Sequence, residues 1–133
     1  MYLEKFYNNK KILKKILTDV FRILNESDDK IAKYLKYGNL HIDKNAINFD
    51  FDTDFETHII YISDFMVRST YGPYDIDEKL DKYWYNLMSR YFEDYEQEYY
   101  NHYKQKIDDE HKRKIEKLNS KIESYKTGEI IKD

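Results

Sequence analysis

Apolar residues recur at three- and four-residue spacing from the start of the chain: Leu3, Phe6, Leu13, Ile16, Leu17, Val20, Phe21 and Leu24. That period marks one face of an amphipathic helix and predicts a helix over residues 3–25, with Lys10, Lys11, Lys14 and Lys15 off the apolar stripe. Asn25-Glu26-Ser27-Asp28 interrupts the pattern. Ser27 carries an N-capping hydroxyl, so a second short helix is predicted over 28–37 with Ile31, Tyr34 and Leu35 facing inward. Gly38-Asn39, a pair that tolerates left-handed backbone, is expected to end it.

From residue 40 to 66 the period changes to two. Leu40-His41-Ile42 reads as a short strand and Asp43-Lys44-Asn45 as a turn. Over 46–52, Ile47, Phe49 and Phe51 alternate with Asn48, Asp50 and Asp52, the signature of a half-buried strand. Thr53-Asp54 permits a turn, and Phe55 to Phe65, rich in Ile and Tyr, reads as a third strand. A three-stranded antiparallel meander packed on the N-terminal helices is predicted, an α+β fold.

Residues 67–74 contain the one proline, in Tyr71-Gly72-Pro73-Tyr74, and read as a connector. Asp75 is placed as an N-cap with Glu78 three residues on. From 76 to about 126 no residue breaks a helix: Leu80, Trp84, Leu87, Tyr91, Tyr95, Tyr99, Tyr103 and Ile107 form one slowly winding stripe. Ile115, Leu118, Ile122 and Tyr125 follow at 3-4-3 spacing, a seam suited to self-association or to docking back on the domain. A bend near Asp108-Asp109 would make a helical hairpin, and Gly128 is expected to stop the helix. The expected domains are a compact α+β body over 1–107 and a helical extension with a frayed tail over 108–133.

Composition narrows the function classes. Charged residues make up 37% of the chain, which alone would point to disorder, but the aromatic content of 17% argues for a packed core. With no cysteine, disulfides, zinc–thiolate centres and Cys nucleophiles are excluded. No signal-like hydrophobic run and no membrane-length apolar stretch is present, so a cytoplasmic protein without membrane association is expected. Lys, Asn, Ile and Tyr are abundant while Ala, Gly, Pro and Arg are scarce, the coding bias of an AT-rich genome.

Net charge is −3, but it is segregated: +4 over residues 1–36, −9 over 37–103 and +2 over 104–133. The acidic middle also holds 11 of the 15 tyrosines. Carboxylates mixed with tyrosines suit a surface that binds proteins, including proteins that ordinarily bind phosphates and bases.

The candidate residues follow. Asp50, Asp52, Asp54 and Glu56 alternate, so on a straight strand they would share a face, either a partner-binding or solvated row or a divalent-metal site. Glu56 and His58 sit at i and i+2, spacing open to a metal or general-base role. There is no Ser–His–Asp pattern, Gly-rich phosphate loop or nucleotide fingerprint, and no catalytic residue or cofactor is assigned. The lysines of the first helix suit either phosphate contact or simple solubility. Tyr83, Tyr85 and Tyr100 fall off the main helical stripe, and Glu93, Asp94, Glu96 and Glu98 lie among the tyrosines.

In its size, lack of cysteine, AT-rich bias and acidic, tyrosine-rich centre, the chain resembles small phage-encoded inhibitors of bacterial defence, anti-CRISPR proteins included. The likeness is compositional and supplies no site residues. It implies a non-enzymatic inhibitor that blocks the nucleic-acid groove of a host protein, for which Asp50, Asp52, Asp54, Glu56, Glu93, Asp94, Glu96, Tyr85 and Tyr100 are the partner-binding candidates. The alternatives are a nucleic-acid-binding regulator using the basic first helix, disfavoured by net charge, an antitoxin or immunity protein, and a metal-dependent nuclease built on the Asp50 row. A homodimer through Ile115, Leu118 and Ile122 is a further expectation.

Overall fold

The computed structural model describes the backbone of residues 2–132 and the side chains of 2–106 and 108–116. The fold is α+β: four α-helices and a four-stranded antiparallel sheet of order β1-β2-β3-β4 among the described residues. The chain divides into two units, Met1–Glu93 and Asp94–Asp133.

The apolar stripe of the N-terminus is buried as its spacing predicts, but the helix is not continuous. A short 3-10 turn, Leu3–Phe6, precedes α1, Lys10–Ile23. Asn9 separates them, its side chain accepting from Ile12 N at 3.1 Å as the N-cap of α1. At the other end Asn25 adopts φ 65°, Asn25 N bonds Arg22 O and Glu26 N bonds Phe21 O, the paired bonds of a Schellman C-cap. α2 is Asp28–Tyr37, capped by Ser27 as predicted. It ends differently from expectation. Gly38 is extended, φ −73° and ψ 165°, and a Cβ there would stand 2.3 Å from the Phe49 ring and 2.6 Å from Tyr34 O. Glycine is required for close approach, not for a left-handed turn.

The strands are β1 Asn39–Ile42, β2 Ile47–Asp52, β3 Thr57–Ile62 and β4 Val67–Ser69. The predicted three-stranded meander therefore has a fourth strand, and the third strand is shorter than 55–65. Ser63 N bonds Met66 O at 2.9 Å, closing a turn that sends Val67–Ser69 back along β3. On the inner face Phe49 stands opposite Leu40 and Ile60, Ile47 opposite Ile42 and Ile62, and Phe51 opposite His58. Helices cover this face. Phe21 of α1 packs on Phe51 (4.9 Å between ring centroids), Phe49 (6.2 Å) and Tyr34 of α2 (5.4 Å).

The long helical stretch from 76 splits at Phe92, not at Asp108-Asp109. α3 is Asp77–Tyr91, and its N-cap position is Ile76 without a side-chain cap, so Asp75 does not cap it. Arg68 of β4 holds α3 to the sheet through a two-pronged pair with Asp81, at 2.6 and 3.3 Å. Phe92 turns to φ −132°, ψ 118°, and its ring packs on Tyr2 (4.8 Å) and Phe6 (5.7 Å). In the second unit α4, Tyr95–Lys132, starts as Asp94 O accepts from Glu98 N, and its bounds take in Asp108 and Asp109. Of the expected self-association seam, Ile115 is 45% exposed, while the side chains of Leu118 and Ile122 lie outside the described residues.

Candidate functional site

The three hairpin turns of the sheet recur every ten residues: Asp43 N to Ala46 O, Thr53 N to Glu56 O and Ser63 N to Met66 O, each 2.9 Å. The second and third share a Thr/Ser-Asp-Phe pattern, Thr53-Asp54-Phe55 and Ser63-Asp64-Phe65. Both have reason to turn, since a Ser or Thr hydroxyl satisfies the backbone groups across it. Thr53 Oγ1 donates to Glu56 O at 3.0 Å and accepts from Glu56 N at 3.3 Å, while Ser63 Oγ donates to Met66 O at 3.4 Å.

The two turns have different fates. The Ser63 turn is docked within its own unit: Asp64 Oδ1 accepts from Leu3 N at 2.9 Å, Asp64 O accepts from Trp84 Nε1 at 3.1 Å, and Phe65 meets Tyr2 edge-on at 6.3 Å. The Thr53 turn presents the same Asp-Phe pair to solvent. Phe55 is 96% exposed, and Asp54 and Glu56 beside it are exposed. A fully exposed phenylalanine flanked by carboxylates has the make-up of an interface anchor inside a polar rim. This feature escaped the sequence reading, which placed Phe55 within a strand; the Thr/Ser-Asp-Phe repeat was the signal that could have found it.

The hairpin also breaks up the predicted carboxylate row. Asp50 and Asp52 lie on the outer face of β2, opposite Ile59 and Thr57. Asp50 Oδ2 is 3.1 Å from His41 Nε2, and Asp52 Oδ1 accepts from Thr57 Oγ1 at 2.6 Å. Asp54 and Glu56 belong to the turn, and the reversal brings Glu56 into step with the inward-facing His58 rather than with Asp50 and Asp52. Among the described residues no three His, Asp or Glu side chains are grouped to hold a metal ion.

Behind the tip lies a cavity of about 440 Å³ lined by Lys30 and Lys33 of α2, Asp52, Asp54, Glu56, His58 and Tyr71 among others. Two lysines thus face three carboxylates, and the hollow is close to balanced in charge. His58 is buried against Tyr71 (4.9 Å) and Phe51 (5.8 Å). Thr70 Oγ1 accepts from Ile59 N at 2.9 Å and shares a hydrogen bond with His58 Nδ1 at 3.2 Å. On the other side of the ring His58 Nε2 faces Glu56 Oε1 at 3.4 Å. Both ring nitrogens are engaged, the arrangement of a histidine that fastens the hairpin. Beyond it Tyr71 donates its hydroxyl to Glu26 Oε1. That hydrogen bond, with burial, pushes the Tyr71 phenol up to about 12.

The remaining candidates are spread over both units. In the first, Tyr85 is half-buried and Glu93 exposed. Tyr83 donates to Asp19 Oδ2 at 2.9 Å, and burial followed by this bond raises its pKa. In the second, Asp94, Glu96 and Glu98 are exposed, Tyr100 is 60% exposed with Lys104 Nζ 5.9 Å from its ring centroid, and the rings of Tyr95, Tyr99 and Tyr103 meet in succession at 5.9 and 4.6 Å, tilted by 43° and 46°. The off-stripe tyrosines thus divide: Tyr83 is used internally and Tyr100 is displayed. No helix among the described residues is long and apolar enough to cross a membrane. Comparison with known protein families, curated proteins and solved structures finds no match.

Proposed function

We propose that the protein is a small non-enzymatic inhibitor, encoded by a phage or other mobile element, that binds a host protein through the β2–β3 hairpin tip and blocks a positively charged nucleic-acid groove. The observation that carries this reading is Phe55, 96% exposed between Asp54 and Glu56 in a turn whose sequence twin is docked inside the same unit. Phe55 fills an apolar recess while Asp54 and Glu56 meet Lys, Arg or backbone N–H groups that otherwise hold phosphate. Asp50 and Asp52 of the same hairpin add carboxylates to the contact, while Tyr85 and Glu93 in the first unit and Asp94, Glu96 and Tyr100 in the second offer further acidic and aromatic surface to a partner. An antitoxin or immunity protein would use the same physics against a different target.

The test is capture of a target from a low-GC bacterial lysate, with and without nuclease, by the wild-type chain and by Phe55→Ala and Asp54→Lys, Glu56→Lys variants. One nucleic-acid-binding protein retained after nuclease, released at about 0.5 M salt and lost with both variants is the expected result. Capture indifferent to both variants would sink the reading. Recovery of nucleic acid alone, abolished by replacing Lys10, Lys11, Lys14 and Lys15, would transfer the function to the basic face of α1.

A further inference from the structure

A second surface, separate in residues and opposite in charge, lies on the other side of α2. α1, α2 and the start of the sheet enclose a groove of about 620 Å³ that is open rather than sealed. Its floor is apolar: Leu13 and Leu17 from α1, Ile31 and Leu35 from α2, Leu40 from β1 and Phe49 from β2. It borders β1, an edge strand of the sheet. Leu40 and Ile42 belong to the inner face by register, yet they are 40% and 44% exposed. Four cations border the groove, Lys10, Lys14 and Arg22 along α1 and Lys36 on α2, all exposed, against the single carboxylate of Asp28.

We propose that this groove is a docking site for an acidic amphipathic helix of a partner protein. The apolar floor takes a stripe of i, i+3, i+4 and i+7 side chains, and the cations meet carboxylates on the flanks of that stripe. The placement of the charges selects this occupant. Lys10 and Arg22 stand twelve residues apart on α1, about 18 Å along its axis, enough for three turns of a bound helix. Cations spread over that length match charge distributed along a helix. A single-headed anionic amphiphile would need them gathered at one mouth and a closed tunnel for its tail. The proposal does not rest on the hairpin tip: no tip residue lines the groove.

The experiment is a titration of the full chain with a fluorescent synthetic peptide of about fifteen residues, Leu at i, i+3, i+4 and i+7 and Glu elsewhere, read by anisotropy and by amide shifts. Controls are a scrambled peptide, the same peptide with Lys for Glu, laurate and a short DNA duplex. Saturable binding of the acidic amphipathic peptide alone is expected, with shifts confined to α1, α2 and β1. Affinity should fall at least tenfold in Lys10→Glu, Lys14→Glu, Lys36→Glu. It should fall similarly in Ala32→Trp, which fills the groove from an exposed position without altering charge. Circular dichroism confirms that each variant is folded, and either variant alone decides. No binding up to about 1 mM, equal binding of the scrambled or Lys peptide, affinity unchanged in the folded variants, or preference for laurate or DNA would each overturn the proposal.

Discussion

Asn25 occupies the left-handed region at φ 65°, where a Cβ costs about 1–2 kcal/mol and asparagine partly offsets this by local hydrogen bonding. Asn25→Gly should therefore raise the thermal midpoint, by roughly 0.5 kcal/mol of stability, and Asn25→Ala should lower it by about 1 kcal/mol. Gly38 works the other way: its φ of −73° suits any residue, but the neighbouring ring does not. Gly38→Ala forces Phe49 out of its place beneath α2 and should cost about 1–3 kcal/mol in denaturant unfolding. Tyr71 supplies a pH signature. Its folded pKa of about 12 lies above the ordinary phenol value, so its contribution to stability is complete below about pH 10. That contribution is lost as pH rises toward 12, because the unfolded state releases the proton first. The stability difference between wild type and Tyr71→Phe should hold constant up to about pH 10 and then shrink. A difference flat to pH 12 would mean that Glu26 does not hold the Tyr71 proton.

Two hairpin turns that differ only by Thr for Ser in an Asp-Phe tripeptide make a controlled comparison at the level of elements. Phe65 meets Tyr2 and its neighbour Asp64 fastens the chain start, whereas Phe55 is bathed in solvent. Phe65→Ala should destabilise the fold by about 1–3 kcal/mol, while Phe55→Ala should stay within about 0.5 kcal/mol, both read by thermal unfolding. A large cost for Phe55→Ala would assign the tip a structural role and remove the reason to see it as an anchor. The same turns mark what local sequence could and could not disclose. α1, α2 with its Ser27 cap, and the alternation of β2 were legible because burial and period agree there. β4 was not, because Ile59 to Phe65 keeps an apolar-rich run through the turn and only three residues pair afterwards. The end of α3 was hidden for a different reason. Tyr91-Phe92-Glu93 contains no helix breaker, and the chain turns there because Phe92 is drawn against Tyr2 and Phe6. Such a contact between residues some ninety positions apart leaves no local mark. The carboxylate row failed on geometry alone: strict alternation from 50 to 56 was real, but β2 ends at Asp52, and Asp54 and Glu56 fall in the turn that follows.

For the molecule as a whole, segregated charge takes on a spatial meaning within the first unit. α2 separates two hollows that share no lining residue: one beside the acidic tip with Tyr34 and Lys33, the other rimmed by Lys10, Lys14 and Lys36. The exposed carboxylates of the tip and the cations around the groove have opposite electrostatic preferences, which allows the protein to hold two partners at once. Coupling between them would have to pass through α2, whose Ile31 and Tyr34 are fixed in the core. Rigid packing of that kind transmits little unless the helix has a second position to move to. The two surfaces should therefore act independently. Phe55→Ala, or Asp54→Lys with Glu56→Lys, should leave the affinity of the acidic helical peptide for the groove unchanged within about twofold. Reversal of Lys10, Lys14 and Lys36 should likewise leave target capture by the tip intact. Both titrations should weaken with added salt, since exposed charges lie at each surface. Loss of peptide binding in a folded tip variant would show instead that the two hollows form one coupled site, with α2 as the element that moves.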